Sequence, residues 1–138
     1  MNTVLVLKLA SLSYLGLLVA GGLMPGVVGL RQHLFVLPAF IRQLFWVYYS
    51  FIGLSLVGFG LGTFLLAEHL ASGTPLARAV CGFVALFWSL RFVAGTFVFD
   101  LHPYLTNRWR RAGLVAANLV FTGLPVVYGW VAVKGVSP

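Results

Sequence analysis

Four long apolar runs, Val4–Leu23, Leu44–Ala67, Leu76–Phe99 and Ala112–Val133, occupy most of the 138 residues. Each is about 20 residues or longer, and a helix of that length crosses the roughly 30 Å hydrocarbon core of a bilayer. Inside hydrocarbon a backbone must satisfy its own polar groups, which a helix does within one segment. The runs therefore predict an all-α, polytopic membrane protein. We expect a four-transmembrane-helix bundle in a single transmembrane domain over residues 1–138, with spans at about 4–23, 44–67, 76–99 and 112–133.

Composition agrees with that solvent. Only 8% of the residues are charged and 61% are hydrophobic, against about 25% charged in a soluble domain. The net charge of +7 comes from nine Lys and Arg against two acids, Glu68 and Asp100. The basic residues fall at the ends of spans, where they meet anionic headgroups and set topology. The charge therefore argues for membrane lipids as partners and against nucleic acid. The first run reads as an uncleaved span. Met1–Val6 carries no positive residue, and Lys8 interrupts the apolar stretch.

Between the first two spans, Arg31–Gln43 holds an apolar stretch too short to cross. It predicts an interfacial or re-entrant segment broken at Pro38, or a kinked N-terminal extension of the second span. Gly22, Met24, Pro25 and Gly26 loosen the end of the first span, and Pro125 predicts a kink in the fourth. Trp46, Tyr48 and Tyr49 form an aromatic belt at the start of the second. Thr74 before Pro75 predicts an N-cap and a first helical position for the third.

Four antiparallel spans put both termini on one side, with Lys8, Arg78 and Lys134. The other side carries Arg31, Arg42, Arg108, Arg110 and Arg111, with Arg91 nearer to it. The larger basic set predicts that loops 1–2 and 3–4 are cytoplasmic and both termini lie opposite.

Gly22–Gly26 and Gly58–Gly62 have GxxxG spacing, with Gly53, Gly60, Ala85, Ser89, Ala116 and Gly123 as further small positions. Such faces let helices approach closely in lipid. They predict packing within the bundle, or against a second copy or a partner subunit.

Arg91 carries the sharpest functional signal. It lies nine residues before Asp100, about 13 Å along a helix from the span end. A charge near mid-membrane costs at least about 2.5–3.5 kcal/mol on insertion scales, so something must compensate it. Three arrangements do so: snorkelling to a phosphate along a lipid-facing surface, a partner's acid, or a polar pocket in the bundle. The pocket would gather Arg91, Asn118, Tyr48, Tyr49, Ser55 and Thr122. In the loop before the fourth span, Arg108, Trp109, Arg110 and Arg111 predict a topology anchor or an anionic-lipid headgroup site.

Catalytic and metal chemistry find little support. His33, His69 and His102 lie near span ends, which disfavours haem or metal ligation within the bundle. Cys81 is the single cysteine and reads as a buried apolar thiol. Glu68 and Asp100 fall at opposite surfaces, so no in-membrane carboxylate pair is available for acid–base work. No catalytic residue and no metal site is assigned, and no cofactor is evident, although a bound lipid, hydrophobic pigment or quinone is compatible. The leading expectation is a small non-catalytic accessory or structural subunit of a larger membrane complex, packed against partner helices and lipid. The alternatives are an autonomous binder or carrier of a lipophilic or anionic ligand through a pocket around Arg91, and a membrane enzyme acting on a lipid or quinone-like substrate.

Overall fold

The computed structural model describes residues 2–99, 103 and 106–134. They form six helices: α1 (Thr3–Val27), α2 (Leu30–Phe35), α3 (Ala39–Leu65), α4 (Ala67–Ala71), α5 (Pro75–Phe97) and α6 (Arg108–Lys134). Four of these, α1, α3, α5 and α6, are long and apolar enough to cross a membrane.

Local chemistry sets most of the ends. Asn2 caps α1 by accepting a hydrogen bond from the Val4 N–H at 3.1 Å. Thr74 caps α5 in the same way, accepting from Ala77 N–H at 3.3 Å with Pro75 at the first helical position, as the sequence predicts. The turns between α1 and α2 and between α4 and α5 use Gly29 and Gly73 at positive φ, a conformation open to glycine without strain.

Two boundaries take a form that the sequence leaves open. The segment Arg31–Gln43 divides between two helices: its first part is the short α2, and from Ala39 onward it is the first turn of α3. Pro38 sits at the junction as the N-cap residue, where a missing N–H costs nothing. The helix α3 is therefore 27 residues long, about 40 Å. Pro25 does not end α1, which continues to Val27. A proline leaves the carbonyl four residues earlier without its helical donor. That carbonyl belongs to Gly21, and the hydroxyl of Tyr49 on α3 donates to it. The side chain repairs the ladder and ties α3 to α1 at the same point.

Packing is uneven. The helix α5 lies along α6 and α1 along α3, and the two pairs meet where α1 packs on α6. The short α4 touches α1, α3 and α5. By contrast, α3 and α5 approach one another only weakly. The helix α1 is central: Leu7, Ala10, Ser11, Tyr14 and Leu17 are buried at helical spacing. The helix α5 buries Ala77, Cys81, Val84 and Trp88, and α6 buries Leu124, Tyr128 and Val131. The helix α3 buries Thr63 alone. At the end where α5 begins and α6 finishes, Arg78 Nε donates to the carbonyl of Ala132 at 2.9 Å, filling one of the last-turn acceptors of α6.

The close approach over glycine falls at Gly60. A Cβ there would lie 3.0 Å from Tyr14 Cβ and 3.4 Å from Tyr14 Cγ. At the GxxxG positions Gly22, Gly26, Gly58 and Gly62 a Cβ would meet nothing within 4 Å. These four make no close helix contact within the chain, because α3 rests on α1 through the face that carries Gly60.

Candidate functional site

The interior holds one polar chain, with one residue from each long helix. Trp88 Nε1 on α5 donates to Tyr14 Oη on α1 at 2.9 Å. Tyr14 Oη donates to Tyr128 Oη on α6 at 3.2 Å. Tyr128 Oη and Thr63 Oγ1 on α3 share a hydrogen bond at 2.6 Å. Exposure is 2% at Trp88, 1% at Tyr14, 0% at Tyr128 and 4% at Thr63. Tyr14, Trp88 and Tyr128 sit on the buried stripes of their helices, and Thr63 is the one residue that α3 buries. Burial then forces the bonds, since an indole N–H or a hydroxyl shut away from water is costly when unpaired.

Aromatic rings surround this chain. Trp88 meets Tyr14 edge-on at 5.5 Å, stacks on Phe121 at 5.6 Å and meets Phe87 edge-on at 5.5 Å. Phe87 in turn meets Phe59 of α3 at 5.1 Å. Tyr128 lies about 9 Å from the Lys134 end of α6, whereas Thr63 is in the last turn of α3, about 3 Å from Leu65.

A cleft of about 390 Å³ opens where α3 and α5 fail to pack. Gly58, Phe59, Gly62, Leu66 and Leu70 form one wall, and Ala79, Val80, Phe83 and Val84 form the other. Thr63 and Tyr128, the two hydroxyls at the far end of the polar chain, also line it. The glycines widen it, since the space a side chain would occupy is empty at both Gly58 and Gly62. The arrangement offers apolar surface along the walls and hydroxyl groups at the floor.

The residues expected to form a pocket around Arg91 are distributed differently. Arg91, Asn118, Tyr48, Ser55 and Thr122 are exposed, and Tyr49 is half-buried. The Arg91 guanidinium lies over the ring of Phe121 at 5.6 Å and that of Phe99 at 5.7 Å, on the outside of α5 and α6. Among the described residues it makes no ion pair. Ser55 Oγ donates to its own helix at Phe51 O and Thr122 Oγ1 to Asn118 O, so neither reaches across. The shared level expected of these groups also shifts. Because α3 begins at Ala39 rather than Leu44, Ser55 is about 24 Å along its helix, whereas Arg91 is about 9 Å from the end of α5.

Arg108, Trp109, Arg110 and Arg111 occupy the exposed first turn of α6. Arg110 Nη1 donates to Thr106 Oγ1 at 3.4 Å. Cations oppose the dipole at a helix N-terminus, so this cluster is not there to stabilise α6. A second cationic concavity, of about 270 Å³, lies between Arg31 and Arg42 with Leu34, Phe35 and Trp46. His33 bonds the Gly29 carbonyl at 3.0 Å, and His69 is exposed. His102 and Asp100 lie outside the described residues. Among the described residues no group of three or more His, Cys, Asp or Glu gathers in a metal-binding arrangement. Cys81 is fully buried and free, the environment expected of it.

Charge, the conspicuous signal in the sequence, does not mark the polar chain. The signal was nonetheless present: Tyr14, Trp88 and Tyr128 lie inside the apolar runs, away from the aromatic belts, and tyrosine or tryptophan at that depth needs a partner. A scan against models of protein families finds no match, and comparisons with curated proteins and with solved structures likewise find none.

Proposed function

We propose that this chain is an integral, multi-pass membrane protein that binds a lipophilic molecule in the cleft between α3–α4 and α5. One observation carries the reading: a cleft with apolar walls has Thr63 and Tyr128, the end of the polar chain, among its lining residues. Its volume of about 390 Å³ falls within the roughly 300–1,000 Å³ range of small-molecule sites. Apolar walls with a few placed polar groups are the usual composition of such sites. The binding position moves from the surroundings of Arg91 to the opposite end of α5. The basic residues Arg31, Arg42, Arg108, Arg110 and Arg111 support loops 1–2 and 3–4 as the cytoplasmic side.

The test is native mass spectrometry of the full chain in mild detergent, with and without Gly62→Leu. Gly62 lines the cleft and a Cβ there meets nothing, so leucine fills the space without moving a helix. The wild type should carry a lipophile in stoichiometric amount, and the variant should lose it at unchanged melting temperature. Equal retention by both would refute the site.

A second reading is favoured by Arg91, an exposed cation with ring faces as its neighbours. In it the chain is an accessory subunit whose Arg91 meets an acidic group on another membrane subunit. The open glycines Gly22 and Gly26 would seat the partner's helix. Copurification of another chain, lost on Arg91→Leu, tests it.

A further inference from the structure

The floor of the cleft holds a hydrogen-bond donor that the protein does not use. Trp88, Tyr14, Tyr128 and Thr63 bring four donor hydrogens, one N–H and three O–H. They make three hydrogen bonds among themselves. One hydrogen is therefore left over however the last bond is oriented. Tyr14 accepts from Trp88 and donates to Tyr128, so the surplus falls at the end of the chain. If Tyr128 donates to Thr63, the threonine hydrogen is spare. If Thr63 donates to Tyr128, the tyrosine hydrogen is spare. Both residues line the cleft, but Tyr128 is fully enclosed, so Thr63 is the residue that can offer its hydrogen there, and a bound acceptor selects the first arrangement.

Five other threonines and serines of the long helices show what is missing. Ser50, Ser55, Ser89, Thr96 and Thr122 each donate to the carbonyl four residues back. Thr63 does not, and bonds only Tyr128. Every buried side-chain nitrogen and oxygen among the described residues has a partner, so the surplus is a hydrogen rather than an atom. An unused O–H beside an apolar space is a costly group, and a bound acceptor removes that cost.

We infer that the cleft takes a lipophile bearing a carbonyl on its hydrocarbon part, held by one hydrogen bond from Thr63. The inference rests on the cleft being a binding site and adds the chemistry of the occupant. A carbonyl is completed by one donor and brings no hydrogen of its own. A carboxylate would bring a charge that the walls cannot offset. An alcohol would bring a further hydrogen to place. A ring ketone, a quinone or a chain ketone carries such a group.

The experiment uses the purified full chain in detergent with two probes, a dialkyl ketone with an isotope-labelled carbonyl and the alkane of equal length. Bound probe per chain is counted after gel filtration, and the labelled band is read by infrared spectroscopy. The wild type should hold the ketone about threefold to tenfold more tightly than the alkane, the range one hydrogen bond gives, with the carbonyl band shifted down. Thr63→Val should abolish the preference while alkane binding persists, which reports an intact cleft. Equal binding of the two probes to wild type, an unshifted band, or a preference kept by Thr63→Val overturns the carbonyl assignment and leaves the cleft standing as a lipophile site. Failure of both probes, with a phospholipid retained in the cleft instead, overturns the assignment. Failure of both probes with an empty cleft overturns the binding site itself.

Discussion

Tyr49→Phe removes the hydroxyl that reaches the Gly21 carbonyl, and the cost of doing so depends on Pro25. In the native chain that carbonyl lacks its helical donor because residue 25 is proline, and Tyr49 supplies the substitute. Hydrogen bonds between membrane helices average about 0.6 kcal/mol and reach about 1.7. An acceptor left bare inside a bundle belongs toward the upper part of that range, so the single substitution should cost about 1 kcal/mol. With Pro25→Ala the backbone regains an N–H at position 25, and the Gly21 carbonyl is filled from within α1. Tyr49→Phe in that background should then cost only a few tenths of a kcal/mol. The double-mutant cycle should therefore show a coupling of about 1 kcal/mol between two residues on different helices. Reversible unfolding in mixed micelles, driven by a rising fraction of denaturing detergent and followed by circular dichroism, reads all four chains. An equal cost of Tyr49→Phe in both backgrounds would refute the account of how α1 continues through Pro25. So would a negligible cost in the native background.

Further substitutions probe the network, the seat of α3 on α1, the α5 cap and the Arg91 surface. Tyr14→Phe should destabilise by about 1–3 kcal/mol, because it leaves the Trp88 N–H unpaired. Tyr128→Phe should cost about as much, since it leaves the Tyr14 O–H without its acceptor, and Thr63→Val least; the same unfolding assay ranks them, and a larger loss at Thr63 contradicts the chain's direction. Gly60→Ala should destabilise by about 1–3 kcal/mol by pressing on Tyr14, whereas Gly58→Ala should be neutral or stabilising through helix propensity; the opposite order would refute the placement of α3 on α1. Thr74→Ala should cost about 1 kcal/mol through loss of the α5 cap, measured as a lowered unfolding midpoint. Arg91→Leu should leave ketone binding unchanged, because Arg91 lies outside the cleft.

The spans, the cap at Thr74 and the burial of Cys81 were legible because each depends on local pattern: run length, a Thr-Pro pair, a thiol amid apolar residues. What was not legible depends on which helix lies beside which. Glycine spacing marks a small face, yet Gly58 and Gly62 open onto empty space while Gly60 meets Tyr14. The two faces differ by a rotation of α3 that no periodicity specifies. Pro25 predicts a helix end from its own chemistry, and its repair comes from Tyr49, 24 positions away. The polar chain is the extreme case. Its four members come from four helices, and nothing in the segment around Thr63 distinguishes it from the threonines that bond their own helix. Arg91 drew attention because a charge in an apolar run is conspicuous locally, whereas a satisfied hydroxyl network is conspicuous only once the helices are assembled.

The cleft follows from how α3 is held. Tyr49 fixes one part of α3 to α1 at Gly21, and Gly60 seats another against Tyr14 at the limit of contact. Two attachments on one neighbour leave α3 no freedom to turn toward α5. Closing the gap would break the Tyr49 bond or withdraw Gly60 from Tyr14. The helices α3 and α5 are instead bridged at the ends of the cleft, by the Phe59–Phe87 ring contact and by α4. The opening between these bridges reaches the end of the polar chain and not its middle: Thr63 and Tyr128 are among its lining residues, and Tyr14 and Trp88 are not. A bundle that only needed stability could have turned the Thr63 hydroxyl onto its own helix, as five other serines and threonines do. Its orientation toward Tyr128 extends the chain of donors to the cleft, which is the arrangement a bound acceptor would complete.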